Sequence, residues 1–142
     1  MLKTIIKASE NFCVHQIRLP YEISVGETQK RTLIAYIDID TKDEKKHRVY
    51  LASDINFMQR ISKLFLEEEE SDEETLIDML LETTNLIVGS AKVIAEEANE
   101  NTYTINTPHF LKLDIFDFEY DQAKVITIEN DNMIIAIKEL DG

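Results

Sequence analysis

The longest ordered pattern in the sequence is a helical repeat from Asp72 to about Ala98. Ile77, Leu80, Leu81, Thr84, Ile87, Val88, Ala91, Ile94 and Ala95 gather on one side of a wheel that turns about 100° per residue. Ser71-Asp72-Glu73-Glu74 opens the repeat. Ser71 stands where it can cap the backbone and Glu74 where it can reach back, and acids in the first turn suit the helix dipole. Such a helix is on the order of 40 Å long, and its apolar side has to be buried on another element.

The flanking segments supply that element. Leu33, Ala35, Ile37 and Ile39 alternate with Ile34, Tyr36 and Asp38, so Thr32 to Ile39 reads as a strand. His47 to Ala52 returns across the charged turn Asp40 to Lys46 as its antiparallel partner. Asp54 caps a second helix over 54–66, where Ile55, Met58, Ile61, Leu64 and Phe65 follow helical spacing. Ala123 to Glu129 and Met133 to Lys138 form another hairpin across Asn130-Asp131-Asn132. Thr102 to Asn106 reads as a strand entering a turn at Pro108, and Tyr21 to Val25 as one following Pro20. Residues 1–15 form a short helix with Ile5, Ile6 and Phe12 on one face, whereas Asp114 to Phe118 has no decisive pattern. Strands and helices are segregated rather than alternating. The expected class is therefore α+β: an antiparallel β-sheet with two central helices, 54–66 and 72–98, packed on one face. The 142 residues suit one domain, 1–142.

Composition narrows the functions. A hydrophobic fraction of 44% supports a real core. A net charge of −13 repels nucleic-acid phosphates and anionic membrane surfaces, and favours a basic protein partner. The lone Cys13 excludes a disulfide framework and reads as a small buried hydrophobe in a reducing compartment. No apolar run approaches the ~20 residues of a membrane span, and Met1-Leu2-Lys3-Thr4 lacks the pattern of a signal peptide. The expected location is the cytoplasm. Gly26, Gly89 and Gly142 make no phosphate loop, and His15, His47 and His109 have no metal-ligand spacing. Glu67-Glu68-Glu69-Glu70 reads as a solvated linker or as a partner-steering acidic patch.

Asp78, Glu82 and Asn85 form a second, polar stripe on the flank of the long helix, and Gly89 continues it one turn beyond Asn85. Like charges at Asp78 and Glu82 cost a few tenths of a kcal/mol, and a glycine inside a helix costs ~1 kcal/mol relative to alanine. Two readings account for these costs. Either the stripe is a solvated face of an acidic protein and Gly89 allows close internal packing, or the stripe is a site and Gly89 lets another molecule approach. A third row, Met79, Leu86 and Val93, is covered by another helix, such as the N-terminal one, or docks a partner.

Asp78-x-x-x-Glu82-x-x-Asn85 resembles the D/S-x-x-x-E-x-x-N pattern of the CheC/CheX/FliY phosphatases of bacterial chemotaxis. The segment Leu81-Glu82-Thr83-Thr84-Asn85-Leu86-Ile87-Val88-Gly89 is similar to that family's helix, and Tyr103 to Pro108 to the strand and proline after it. The resemblance spans roughly residues 32–140. A single motif copy resembles the CheX type, with one site per chain. The resemblance implies a phosphatase acting on the aspartyl phosphate of a CheY-type response regulator. It implies that Asn85 positions the attacking water, that Glu82 pairs with a lysine of the regulator, and that Asp78 and Gly89 lie at the docking interface. It implies no cofactor of the chain's own, since the regulator brings its Mg²⁺, and a homodimer joined through sheet edges. Strands 123–129 and 133–138 are the expected edges. The rival expectation is a binding module that docks a regulator or flagellar-switch protein without hydrolysis.

Overall fold

The computed structural model of the chain describes residues 2–26, 28–42, 44–98 and 103–140. Its centre is the hairpin of β2 (Arg31–Thr41) and β3 (Lys46–Ser53), paired from Leu33↔Ser53 to Asp40↔Lys46. β7 (Asp131–Leu140) lies on the other side of β3, and β6 (Gln122–Ile128) beside β7. β1 (Glu22–Val25) closes that end against β6. At the opposite end β2 is flanked by β4 (Tyr103–Ile105) and β5 (His109–Ile115), which pair with different halves of it. Every pairing is antiparallel, and the order is β1-β6-β7-β3-β2-β4 with β5 also on β2.

Strand alternation divides the side chains between two faces. Leu33, Ala35, Ile37, Ile39, Val49 and Leu51 face the helices, while Ile34, Tyr50 and Ala52 face the other way. The second face is covered by the segment after β5, whose Phe116 and Phe118 lie 5.4 and 5.2 Å from the Tyr50 ring. On the first face lie α2 (Ile55–Leu66) and α3 (Glu73–Glu97), as expected of the two central helices. A third helix shares that face. α1 (Leu2–Phe12) continues through a wider π turn, Cys13–Ile17, and packs against α3, β6 and β7. Cys13 is fully buried there, as its reading as a small hydrophobe requires.

Three expectations need correction. β6 and β7 are not sheet edges: each has neighbours on both sides, so its backbone groups are already paired. β1, β4 and β5 are the outer strands. Ser71 is not the cap of α3. Asp72 takes that place and accepts from the Thr75 N–H at 2.8 Å, whereas Ser71 is drawn to α2, where its N–H donates to Gln59 at 2.9 Å and its hydroxyl meets Ser62. β5 was not expected as a strand. Phe110 and Leu113 both pack towards the helix-side core, an odd spacing that a regular strand forbids. A bulge allows it: Ile34 pairs with Lys112 and Ala35 with Phe110, so Leu111 is left over and the faces of β5 change there. Thr102, the expected first residue of β4, lies outside the described residues.

Candidate functional site on the outer face of α3

α3 is held from beneath and from its far end. Leu80, Ile87, Val88 and Ala91 are at most 1% exposed and rest on the sheet side. Thr84 turns its hydroxyl back to donate to the Leu80 carbonyl at 2.7 Å, which lets a polar residue sit in the buried stripe. Tyr103 of β4 donates its phenol to the Val88 carbonyl at 2.8 Å. Burial raises the Tyr103 pKa well above its ordinary value, so the phenol remains a donor. The helix is thus a rigid platform up to the turn that contains Gly89.

Asp78, Glu82 and Asn85 are all exposed on that platform. Their wheel angles lie nearly opposite the buried stripe, so they point outward rather than along a flank. None of the three side chains forms a hydrogen bond or ion pair with another described residue. Each remains available to an incoming molecule. Gly89 has a helical φ, and a Cβ built on it would meet nothing within 4 Å. Internal packing therefore does not require glycine at this position. The space beside Gly89 is open among the described residues.

The chemistry of the stripe is limited and specific. Two carboxylates can accept hydrogen bonds or pair with cations, and one carboxamide can both donate and accept. That combination can dock a cationic group and hold a water. Among the described residues, no group of three or more His, Cys, Asp and Glu is placed to hold a metal ion, and no helix is long and apolar enough to cross a membrane. His15 lies on the π turn and His109 on β5.

Sequence reasoning missed two neighbours of the stripe. Tyr103, which holds the helix from behind, carried a signal only as an aromatic in the strand after α3. The second is a groove between α1 and α3, on whose wall Leu86 stands next to Asn85. Leu86 belonged to the third apolar row, whose head Met79 is buried while Leu86 and Val93 stay 42% and 51% exposed.

The fold is shared with solved chemotaxis proteins. CheX from Vibrio vulnificus superposes with a TM-score of 0.76 at 17% identity, covering 96% of this chain and 97% of that one. CheX of the CheX–CheY–BeF3–Mg complex from Borrelia burgdorferi gives 0.71 at 15% identity, covering 96% and 97%. The FliM middle domain from H. pylori gives 0.52 at 14% identity, covering 95% and 84%. No curated protein sequence matches the chain. The family described as chemotaxis phosphatase CheX matches residues 35–130, from within β2 through α2 and α3 to just past β6, with the whole stripe inside. The chain therefore belongs to the CheX family of chemotaxis phosphatases.

Proposed function

We propose that this protein hydrolyses the aspartyl phosphate of a CheY-type response regulator by laying the outer face of α3 into the regulator's phosphorylation site. The observation that carries this reading is the stripe itself. Asp78, Glu82 and Asn85 are outward, unengaged by any other described residue and followed by a glycine with open space above it.

Asn85 holds the attacking water. A carboxamide is too weak a base to deprotonate water, but it can accept from one of its hydrogens or donate to its oxygen and so fix its line of approach. Phosphoryl transfer asks little covalent chemistry of the protein, so positioning is the main lever. Glu82, about one turn before Asn85, takes a lysine of the regulator and sets the register of docking. Asp78, one turn further back, supports the interface. Gly89 lets the regulator's backbone come close to the helix. The Mg²⁺ belongs to the regulator and offsets the charge on the phosphoryl oxygens. CheX of Borrelia burgdorferi has been solved with CheY, BeF3 and Mg²⁺, which supports the choice of partner.

The test is the rate at which a Mg²⁺-loaded, phosphorylated CheY-type regulator loses its phosphate when mixed with this protein. Wild type accelerates the loss. Asn85→Ala lowers the maximal rate by roughly 10²-fold, the usual scale for losing a positioning contact, and Glu82→Ala weakens binding. A second reading, docking without hydrolysis, draws on the likeness to FliM, which has been solved in complex with SpeE. Binding weakened by Glu82→Ala with no acceleration by wild type establishes that second reading instead.

A further inference from the structure

The groove beside the stripe has a volume of about 420 Å³ and is open to solvent. Ala8, Phe12 and His15 line one wall, Leu86 and Ser90 the other, and Phe65 from the last turn of α2 closes one end. The Phe12 and Phe65 rings stack with centroids 6.0 Å apart, and Phe65 is still 40% exposed. Among the described residues, no lysine or arginine lines the groove. Carboxylates stand beyond two of its borders. Glu82 and Asp78 are exposed on α3, and Glu67, Glu68, Glu69 and Glu70 are exposed just after Phe65 and Leu66. Of that run, Glu69 is 3.4 Å from Lys63.

A stable protein–protein contact covers on the order of 800 Å² on each partner. Three polar side chains on a single helix supply only part of that area, and none of the apolar centre such contacts usually have. A molecule that reaches Asn85 must therefore rest on surface to one side. The adjoining residue, Leu86, opens directly into the groove, which places an apolar floor beside a polar, acidic rim.

We propose that the groove seats an amphipathic helix of the same regulator. Its apolar face meets Phe65 and Leu86, and its lysine or arginine border meets the carboxylates. This rests on the phosphatase reading and adds a division of labour to it: the groove selects and holds the regulator, and Asn85 sets the chemical rate. The row Met79, Leu86 and Val93 thereby acquires two uses. Its head is part of the protein's own core, and its remainder is the exposed apolar surface next to the site.

The experiment compares wild type, Leu86→Ser, Phe65→Ser and Asn85→Ala in two assays. One is steady-state dephosphorylation of a CheY-type regulator. The other is binding of the same regulator loaded with Mg²⁺ and beryllofluoride. Leu86→Ser and Phe65→Ser are expected to raise KM and Kd roughly tenfold, the scale of a central apolar contact, whereas Asn85→Ala acts on kcat. Leu86 is exposed, so Leu86→Ser keeps the comparison valid even where Phe65→Ser disturbs the stack on Phe12. Wild-type activity with both serine variants within about twofold of wild type in KM overturns the groove proposal alone. Wild type that neither binds nor dephosphorylates the regulator overturns the phosphatase reading and the groove's occupant together. A micromolar dimer that dissociates on Leu86→Ser assigns the groove to a second copy of the chain and also overturns the proposal.

Discussion

The phenol of Tyr103 donates to the carbonyl of Val88 across 2.8 Å, at the residue immediately before Gly89. The bond ties a strand at the sheet's margin to the turn of α3 that follows Asn85. Tyr103 is 3% exposed, so water does not replace the bond when it is lost. Tyr103→Phe keeps the ring and removes only the donor. The expected cost is about 1 kcal/mol of unfolding free energy, read from urea titrations with an unaltered slope. A cost indistinguishable from zero shows that the bond does not hold the helix.

Gly89 separates stability from function more sharply. A Cβ at this position meets nothing within 4 Å, so Gly89→Ala removes a helix-weakening residue without a clash. Stability should rise by about 1 kcal/mol. Affinity for the phosphorylated regulator should fall, because the added methyl stands where the partner approaches. Chemical denaturation and regulator binding on one preparation check both halves. A stabilised variant with full affinity means that the glycine is not there for the partner.

Much of this architecture is legible in the sequence because its signals are local. The β2–β3 hairpin shows in the alternation from Leu33 to Ile39, the α2 cap in Asp54, which accepts from the Phe57 N–H at 2.6 Å, and α3 in its apolar repeat. The stripe is legible for the same reason, since i, i+4 and i+7 already place three residues on one face. Features that depend on distant partners are not legible. β5 is concealed by its own extra residue, Leu111, which the uninterrupted run of β2 leaves without a partner between Phe110 and Lys112. Ser71 fits the capping pattern, yet contacts to Gln59 and Ser62 pull it away and leave the cap to Asp72. The groove exists only because α1, from the other end of the chain, lies against α3.

The displaced cap makes a pH-dependent prediction. The hydroxyl and N–H of Thr75 hydrogen-bond the Asp72 carboxylate and hold its pKa below the ordinary carboxylate value of 3.8. A carboxyl depressed in the folded state contributes stability above its unfolded pKa, and that contribution fades as pH falls through the folded value. Asp72→Ala should lower Tm at pH 7, and the gap from wild type should narrow below pH 3.8. Thermal melts at pH 7, 4 and 2.5 follow the gap. An equal gap at every pH places the effect of Asp72 outside its charge.

Cys13 bears on the alkaline side. The thiol is fully buried, and burial, followed by the charge of Glu10, pushes its pKa up to about 11 from an ordinary 9.0. The folded state keeps this proton more tightly than the unfolded chain does. The thiol's contribution is therefore fully present below pH 9 and is lost as pH rises towards 11. Tyr103 begins to act in the same direction only above its own ordinary value of 10.0, so a comparison at pH 9.5 isolates Cys13. The stability advantage of wild type over Cys13→Ala should be constant from pH 7 to 8.5 and begin to shrink by pH 9.5. In parallel, a thiol reagent at pH 8 should leave the native protein unmodified and label it fully in denaturant, because neither the thiolate nor a path to it exists in the fold. Fast labelling of the native protein means that the π turn after α1 opens without global unfolding.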